Sequence, residues 1–180
     1  MHAPNHKGFT LIELLIVVAV IGIIAAIAIP GLLRARMSGN EASAIGSLRT
    51  IVSSQQTYAS SCGNGFYASS LVILGSAPAG SNPFISPDLS AGATVMKTGY
   101  TLTMARGSEA TPAALDGCNP LGTAAVLFSS YYAKADPQTL NTTGTRWFWT
   151  NSLGTIFQST AGTFVSTVGN VHPGAGVPLQ

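Results

Sequence analysis

The stretch from Gly8 to Leu33 constrains this chain more than any other. It is almost wholly apolar, with a single acid, Glu13, near its start. A bilayer's hydrocarbon core needs about 20 apolar residues of helix. Ile12 to Ile29 supplies most of that length, and Phe9, Thr10 and Leu11 extend it. An ionised carboxylate inside such a run costs at least about 2.5–3.5 kcal/mol, so Glu13 calls for a partner or a function. Gly22 and the Pro30-Gly31 pair are better tolerated in a membrane helix than in a soluble one. Pro30 removes a backbone hydrogen bond and crowds the carbonyl four residues back. Gly22, Pro30 and Gly31 are therefore expected points of bending or local melting, and two helices broken at Pro30-Gly31 are the alternative.

An ordinary signal anchor would also carry such a run, with Glu13 at the interface. So would a secretory signal peptide, for which Ala26-Ile27-Ala28 has the small-x-small form of a cleavage site. Neither accounts for Lys7-Gly8-Phe9-Thr10-Leu11-Ile12-Glu13. That segment joins a short basic leader, a glycine, an aromatic residue, an acid four residues on and a proline further along. It resembles the prepilin signature of type IV pilins and type II secretion pseudopilins.

The resemblance implies an α+β, pilin-like fold: a long N-terminal helix, transmembrane in its first half and amphipathic in its second, packed on a small antiparallel sheet. It implies that residues 1–8 are a leader, cut between Gly8 and Phe9 by a prepilin peptidase on the cytoplasmic face. The new amino group of Phe9 is then N-methylated. The helix packs with neighbouring copies or related pilins in a filament core, and Glu13 sets their register. An inner-membrane assembly platform and membrane lipid are the other implied partners. Physics supports the role of Glu13 separately. Cleavage leaves an ammonium one helical turn away, and two buried charges that are costly alone become tolerable together.

Orientation follows from the motif. Lys7, His2, His6 and the initial amino group hold the leader in the cytoplasm, but Arg34 and Arg36 beyond the run weaken a positive-inside argument. The remainder is expected in the periplasm and then in a cell-surface or periplasmic filament. The domain plan is leader 1–8, helix 9–60 with 9–33 transmembrane, and a β-rich domain over 61–180.

After Arg36 the pattern becomes amphipathic. Ile45, Leu48, Val52, Gln55 and Ala59 recur at spacings of 3 and 4, with Ile51 and Tyr58 beside them. Glu41, Arg49, Ser53 and Gln56 lie off that stripe. Ser38 or Asn40 offers a local recap. A helix from Phe9 to about Ala59 would be roughly 75 Å long at 1.5 Å per residue. Gly63-Asn64-Gly65 ends it. Tyr67, Leu71 and Leu74 fit the tyrosine and short helix that often follow in the resembled family. Residues 75–93 read as loop, with a helical turn at Asp88-Leu89.

Strands are expected over 99–104, 125–135, 146–150 and 155–158. The last two are joined by Asn151-Ser152-Leu153-Gly154, the best hairpin signal in the chain. The Gly144, Phe148 and Gly154 pattern resembles a recurrent pseudopilin and pilin hairpin. Short sequential links favour an antiparallel sheet covering the amphipathic half of the helix. From Ala161 on, Gly162, Gly169, Pro173, Gly174, Gly176 and Pro178 read as irregular tail.

If the domain is exported, Cys62 and Cys118 meet an oxidising compartment and form one disulfide. A metal pair lacks a nearby histidine, and a reactive pair lacks a basic flank. Charged residues are only 8% of the chain and the formal net charge is +2, so no strong field recruits nucleic acid. No nucleophile elbow, phosphate loop or metal-ligand spacing is present. The acids Asp88, Glu109, Asp116 and Asp136 are scattered, with Asp88 and Asp136 read as loop caps. His172 stands alone in the tail, and no acid lies in the last forty residues to build a calcium loop. No cofactor, no metal and no catalysis are expected. Trp147 and Trp149 share one strand face and Phe148 takes the other. One face is core, and the other is a contact surface or is buried by loops. Asn141-Thr142-Thr143 has the form of a glycan acceptor. The reading is a structural filament subunit of a type IV pilus. Alternatives are a type II secretion pseudopilin or a membrane-tethered binding module that does not polymerise.

Overall fold

A computed structural model describes residues 8–162 and 176–179. Residues 1–7 of the expected leader 1–8, and the tail with Gly169, His172, Pro173 and Gly174, lie outside the described residues. The chain divides into two units, Met1–Arg36 and Met37–Gln180. Its class is α+β: a long apolar N-terminal helix followed by antiparallel sheet.

Helix α1 spans Leu11–Ser61. It remains helical through Gly22, Pro30 and Gly31, so neither the local melting nor the two-helix alternative is seen. Nor does the helix restart at Ser38 or Asn40. Asn40 instead donates from Nδ2 to the Thr143 carbonyl at 2.9 Å. The helix ends where the sequence punctuates it. Asn64 and Gly65 take φ of 52° and 87°, and the Gly63 and Gly65 amides turn back to the carbonyls of Tyr58 and Ala59 at 2.7 and 2.9 Å. Asparagine and glycine are the residues that tolerate this left-handed backbone.

From Ala44 onward α1 buries a stripe of Ala44, Leu48, Ile51, Gln55 and Tyr58. The stripe is rotated from the expected one: Ile45, Val52 and Ala59 are only half-buried at its margin. Glu41, expected off the stripe, is buried on it. Arg49, Ser53 and Gln56 face outward as expected.

Short elements follow: β1 (Tyr67–Ala68), α2 (Leu71–Gly75) and α3 (Pro87–Ser90). The main sheet holds β2 (Thr94–Lys97), β3 (Tyr100–Arg106), β5 (Tyr131–Pro137), β6 (Trp147–Asn151), β7 (Ile156–Ser159) and β8 (Val177–Pro178), in that order and antiparallel throughout. Strand β4 (Leu127–Phe128) pairs with β1 as a second, two-stranded sheet.

Three expectations are corrected. Strand β2 precedes the first expected strand and pairs with it through a turn at Thr98 and Gly99, whose φ are 45° and 75°. The segment 125–135 is not one strand. A 3-10 turn at Ala124–Val126 and β4 come first, and β5 begins only at Tyr131. Finally, the tail is not wholly irregular, since β8 extends the sheet beside β7. The hairpin β6–β7 forms as read, closed by the Gly154 amide on the Asn151 carbonyl at 2.9 Å.

Alternation along the strands builds the core. Tyr100, Leu102 and Met104 of β3, Tyr131, Ala133 and Ala135 of β5, and Phe148 of β6 point inward and share one apolar cluster with the α1 stripe. Period-2 burial on one face is what an antiparallel sheet covering a helix requires. On the opposite face Lys134 pairs with Asp136 at 2.7 Å, so Asp136 is a strand residue and not a loop cap.

Candidate processing and assembly site

Gly8, Phe9 and Thr10 precede the first helical residue, Leu11. Thr10 opens the helix and Glu13 closes on it. The Thr10 amide and Oγ1 both donate to Glu13 Oε2, at 2.9 and 2.5 Å. The Glu13 amide donates in return to Thr10 Oγ1 at 3.3 Å. This reciprocal arrangement is a capping box. It satisfies backbone donors that a helix start otherwise leaves open. Glu13, expected to be an acid awaiting a partner, already has this local one. The signal was present in Thr-x-x-Glu ahead of an apolar run. Oε1 carries none of these three bonds and stays open to a further donor.

Gly8 has open space where a Cβ would stand. Nothing in the described packing asks for glycine there. Phe9 is 77% exposed. Beyond it the large apolar residues from Leu11 to Leu33 all face outward. So continuous an apolar surface has to be met by lipid or by other apolar helices. Among the described residues α1 is the one helix long and apolar enough to cross a membrane.

Residues 3–29 match the family described as the prokaryotic N-terminal methylation motif. The chain carries that motif. Part of the chain, about a third of its length, is also similar to curated proteins. The type IV major pilin protein PilA of Myxococcus xanthus is 44% identical over 55 residues, covering 31% of this chain and 25% of that protein. The type IV wide pilus major component PilA4 of Thermus thermophilus is 52% identical over 54 residues, covering 30% of this chain and 41% of that protein. The matches thus span less than half the length of either relative. No solved structure matches the chain.

From Leu11 on the motif lies on the apolar part of α1, with Gly22 inside it and Pro30-Gly31 just past its end. In the domain, Cys62 and Cys118 are joined as a disulfide, tying the end of α1 to the loop that follows β3. Glu41 is the unexpected charge. It is 5% exposed. Its Oε1 accepts from the Thr145 amide and hydroxyl at 2.8 and 2.9 Å, and its Oε2 from Arg146 Nε and Nη2 at 2.9 and 2.6 Å. Burial alone would raise its pKa, but the Thr145 and Arg146 bonds outweigh that and hold the carboxyl below its ordinary value. Tyr58 is buried with its hydroxyl on Asn119 Oδ1 at 3.0 Å, and burial pushes its pKa up to about 12.

Trp149 is 3% exposed and stacks on Phe157 with ring centroids 5.9 Å apart. Gly176 lies against it so closely that a Cβ would fall 2.0 Å from the indole. Of the two readings of that face, burial by the chain itself holds for Trp149, while Trp147 is half-buried. Asn141 sits exposed in a turn with φ of 61°. Among the described residues no three of His, Cys, Asp and Glu gather closely enough to hold a metal ion.

Proposed function

We propose that this chain is a structural subunit of a type IV pilus-like filament. The observation that carries the reading is the methylation-motif match over residues 3–29, which runs into a helix whose apolar surface is unburied. Similarity of about a third of the chain to two type IV pilus major components supports the pilus ahead of a secretion pseudopilin or a tethered monomer. On this reading residues 1–8 are removed at Gly8–Phe9 by a prepilin peptidase, and the Phe9 amine is methylated. The subunit waits in the inner membrane through residues 9–33, its domain on the far side, before an assembly platform adds it to the filament. Gly22, Pro30 and Gly31 give the rod the local freedom to bend as neighbours close around it. Glu13 Oε1 receives an ammonium from a neighbouring copy. A partly unpaired carboxylate in an apolar bundle is stabilised most where that ammonium meets it, which favours one stagger over others.

Glu13→Ala tests the reading. The variant should be processed and retained in the membrane at wild-type levels, with mature protein beginning at Phe9 by N-terminal sequencing. Filaments seen by electron microscopy should fall at least about tenfold, a barrier of roughly 1.4 kcal/mol. Wild-type filament yield from the variant, or wild-type protein that retains its first eight residues beside an active peptidase, would overturn it.

A further inference from the structure

Charges are scarce enough here to follow one by one: 8 Lys and Arg, 6 Asp and Glu. In the domain Lys97 pairs with Asp88, Lys134 with Asp136 and Arg146 with Glu41. Arg106 lies 4.9 Å over the Phe128 ring. Among the described residues from Met37 on, that leaves one cation with neither acid nor ring, Arg49, and two acids without a cation, Glu109 and Asp116. The cation is on the outer face of α1. Both acids are on the loop after β3 that carries Cys118.

That loop is held rigidly. Cys118 is bonded to Cys62, and its amide donates to the Cys62 carbonyl at 3.1 Å. The Gly117 amide donates to the Gly122 carbonyl at 2.5 Å. Buried Asn119 donates to the Ile73 and Ser76 carbonyls at 2.7 and 3.0 Å. Asp116 Oδ1 accepts from the Ala124 amide at 2.6 Å. On this frame Leu115 is 66% and Leu121 48% exposed. A loop so tied cannot fold its leucines inward. It displays an apolar and acidic knob that loses little conformational freedom on docking.

The outer face of α1 offers the complement. Around Arg49 lie Ala42, Gly46, Thr50 and Ser53, all exposed and small, and a Cβ at Gly46 would meet nothing within 4 Å. The strip is shallow and carries one cation whose aliphatic stem can cover a leucine. Knob and strip are not paired within one molecule. Asp116 is level with the end of α1, where its carbonyl accepts from Asn64 Nδ2 at 3.0 Å. Arg49 lies roughly 18 Å further down the helix at 1.5 Å per residue. Two different, complementary surfaces on one chain make a heterologous contact, which stacks copies in a line and does not close on a dimer. We infer that the disulfide loop of one copy, through Leu115 and Asp116, docks on the Arg49 face of α1 of the next copy. The inference rests on the filament reading and names the contact that joins its domains.

The test is a charge exchange in the full-length chain, produced in cells with its own assembly machinery. Arg49→Glu sets two acids against each other, and Leu115→Lys sets two cations against each other. Both sites are exposed, so each variant should keep wild-type membrane levels and an intact Cys62–Cys118 bond on a non-reducing gel. Each single variant should lower filament yield about fivefold, the ratio expected of roughly 1 kcal/mol between like and unlike surface charges. The double variant R49E/L115K should restore yield to near wild type. Normal yield from both single variants, or a double variant no better than the singles, would overturn the docking. Absence of wild-type filaments would overturn the filament reading itself, and this contact with it.

Discussion

Helix α1 has two halves built on one backbone period and finished for different surroundings. From Leu11 to Leu33 every large apolar side chain is at least 49% exposed. From Ala44 to Tyr58 the apolar residues narrow to a stripe, and Leu48, Ile51 and Tyr58 are fully buried. The first half carries apolar groups on all sides and so cannot be covered by one sheet. Its partners must surround it. The second half needs one partner, and the chain supplies it. The difference teaches where stability resides: the domain half answers to its own packing, the first half to whatever solvates it.

The comparison can be broken by variants that should act on one half only. Replacing Cys62 and Cys118 together by Ser should have the largest effect. Opening a loop with a sequence separation of 56 should cost the domain about 4 kcal/mol on the chain-entropy estimate. Denaturant unfolding of the full chain in detergent micelles would measure that loss, while extraction with the membrane fraction should not change. A similar loss after Ile16→Ala would erase the distinction between the halves. Next comes Leu48→Ala. A fully buried leucine in contact with the sheet core should cost about 3 kcal/mol, whereas Ile16→Ala in the same micelles should leave the domain's unfolding midpoint in place.

The smallest effect sharpens the comparison through pH. The Glu41 carboxyl is held below its ordinary value, so its contribution is fully present above the unfolded value of about 4.3 and is lost as pH falls through the folded one. Glu41→Gln should lower domain stability by about 1–2 kcal/mol at neutral pH, discounted because the Arg146 partner is 35% exposed. The gap between wild type and variant should close in acid. A gap that does not narrow, or widens, as pH falls through the acid range would assign the loss to packing and not to charge.

Much of this was legible in the sequence, and the misses have physical causes. The apolar run, the end of α1 at Asn64-Gly65 and the β6–β7 hairpin all carry dense local signals, and all are where they were read. The phase of the buried stripe was displaced because residues 41–54 are rich in Ala, Ser and Gly. Small residues such as Ala44, Ser47 and Ser54 bury without a strong hydropathy mark. Strand β2 escaped because its turn uses Thr98 at positive φ, where Asn or Asp would have announced it. The segment 125–135 looked continuous, yet Ser129 and Ser130 divide it between two sheets. Glu41 could not have been placed by local pattern, since Arg146 lies 105 residues away. In the candidate site the acid was found and its cap was missed. The apolar context suggested a distant partner, when Thr10 three positions earlier already held one oxygen.

That cap has a consequence for the processing proposed at the amino end. Its three bonds use only atoms of Thr10 and Glu13, every one downstream of the Gly8–Phe9 bond. Hydrolysis at that bond would therefore leave the opening turn of the rod intact, with nothing to refold. A chain cut there would inherit a finished helix start, its acid already oriented and one oxygen outside the cap's bonds.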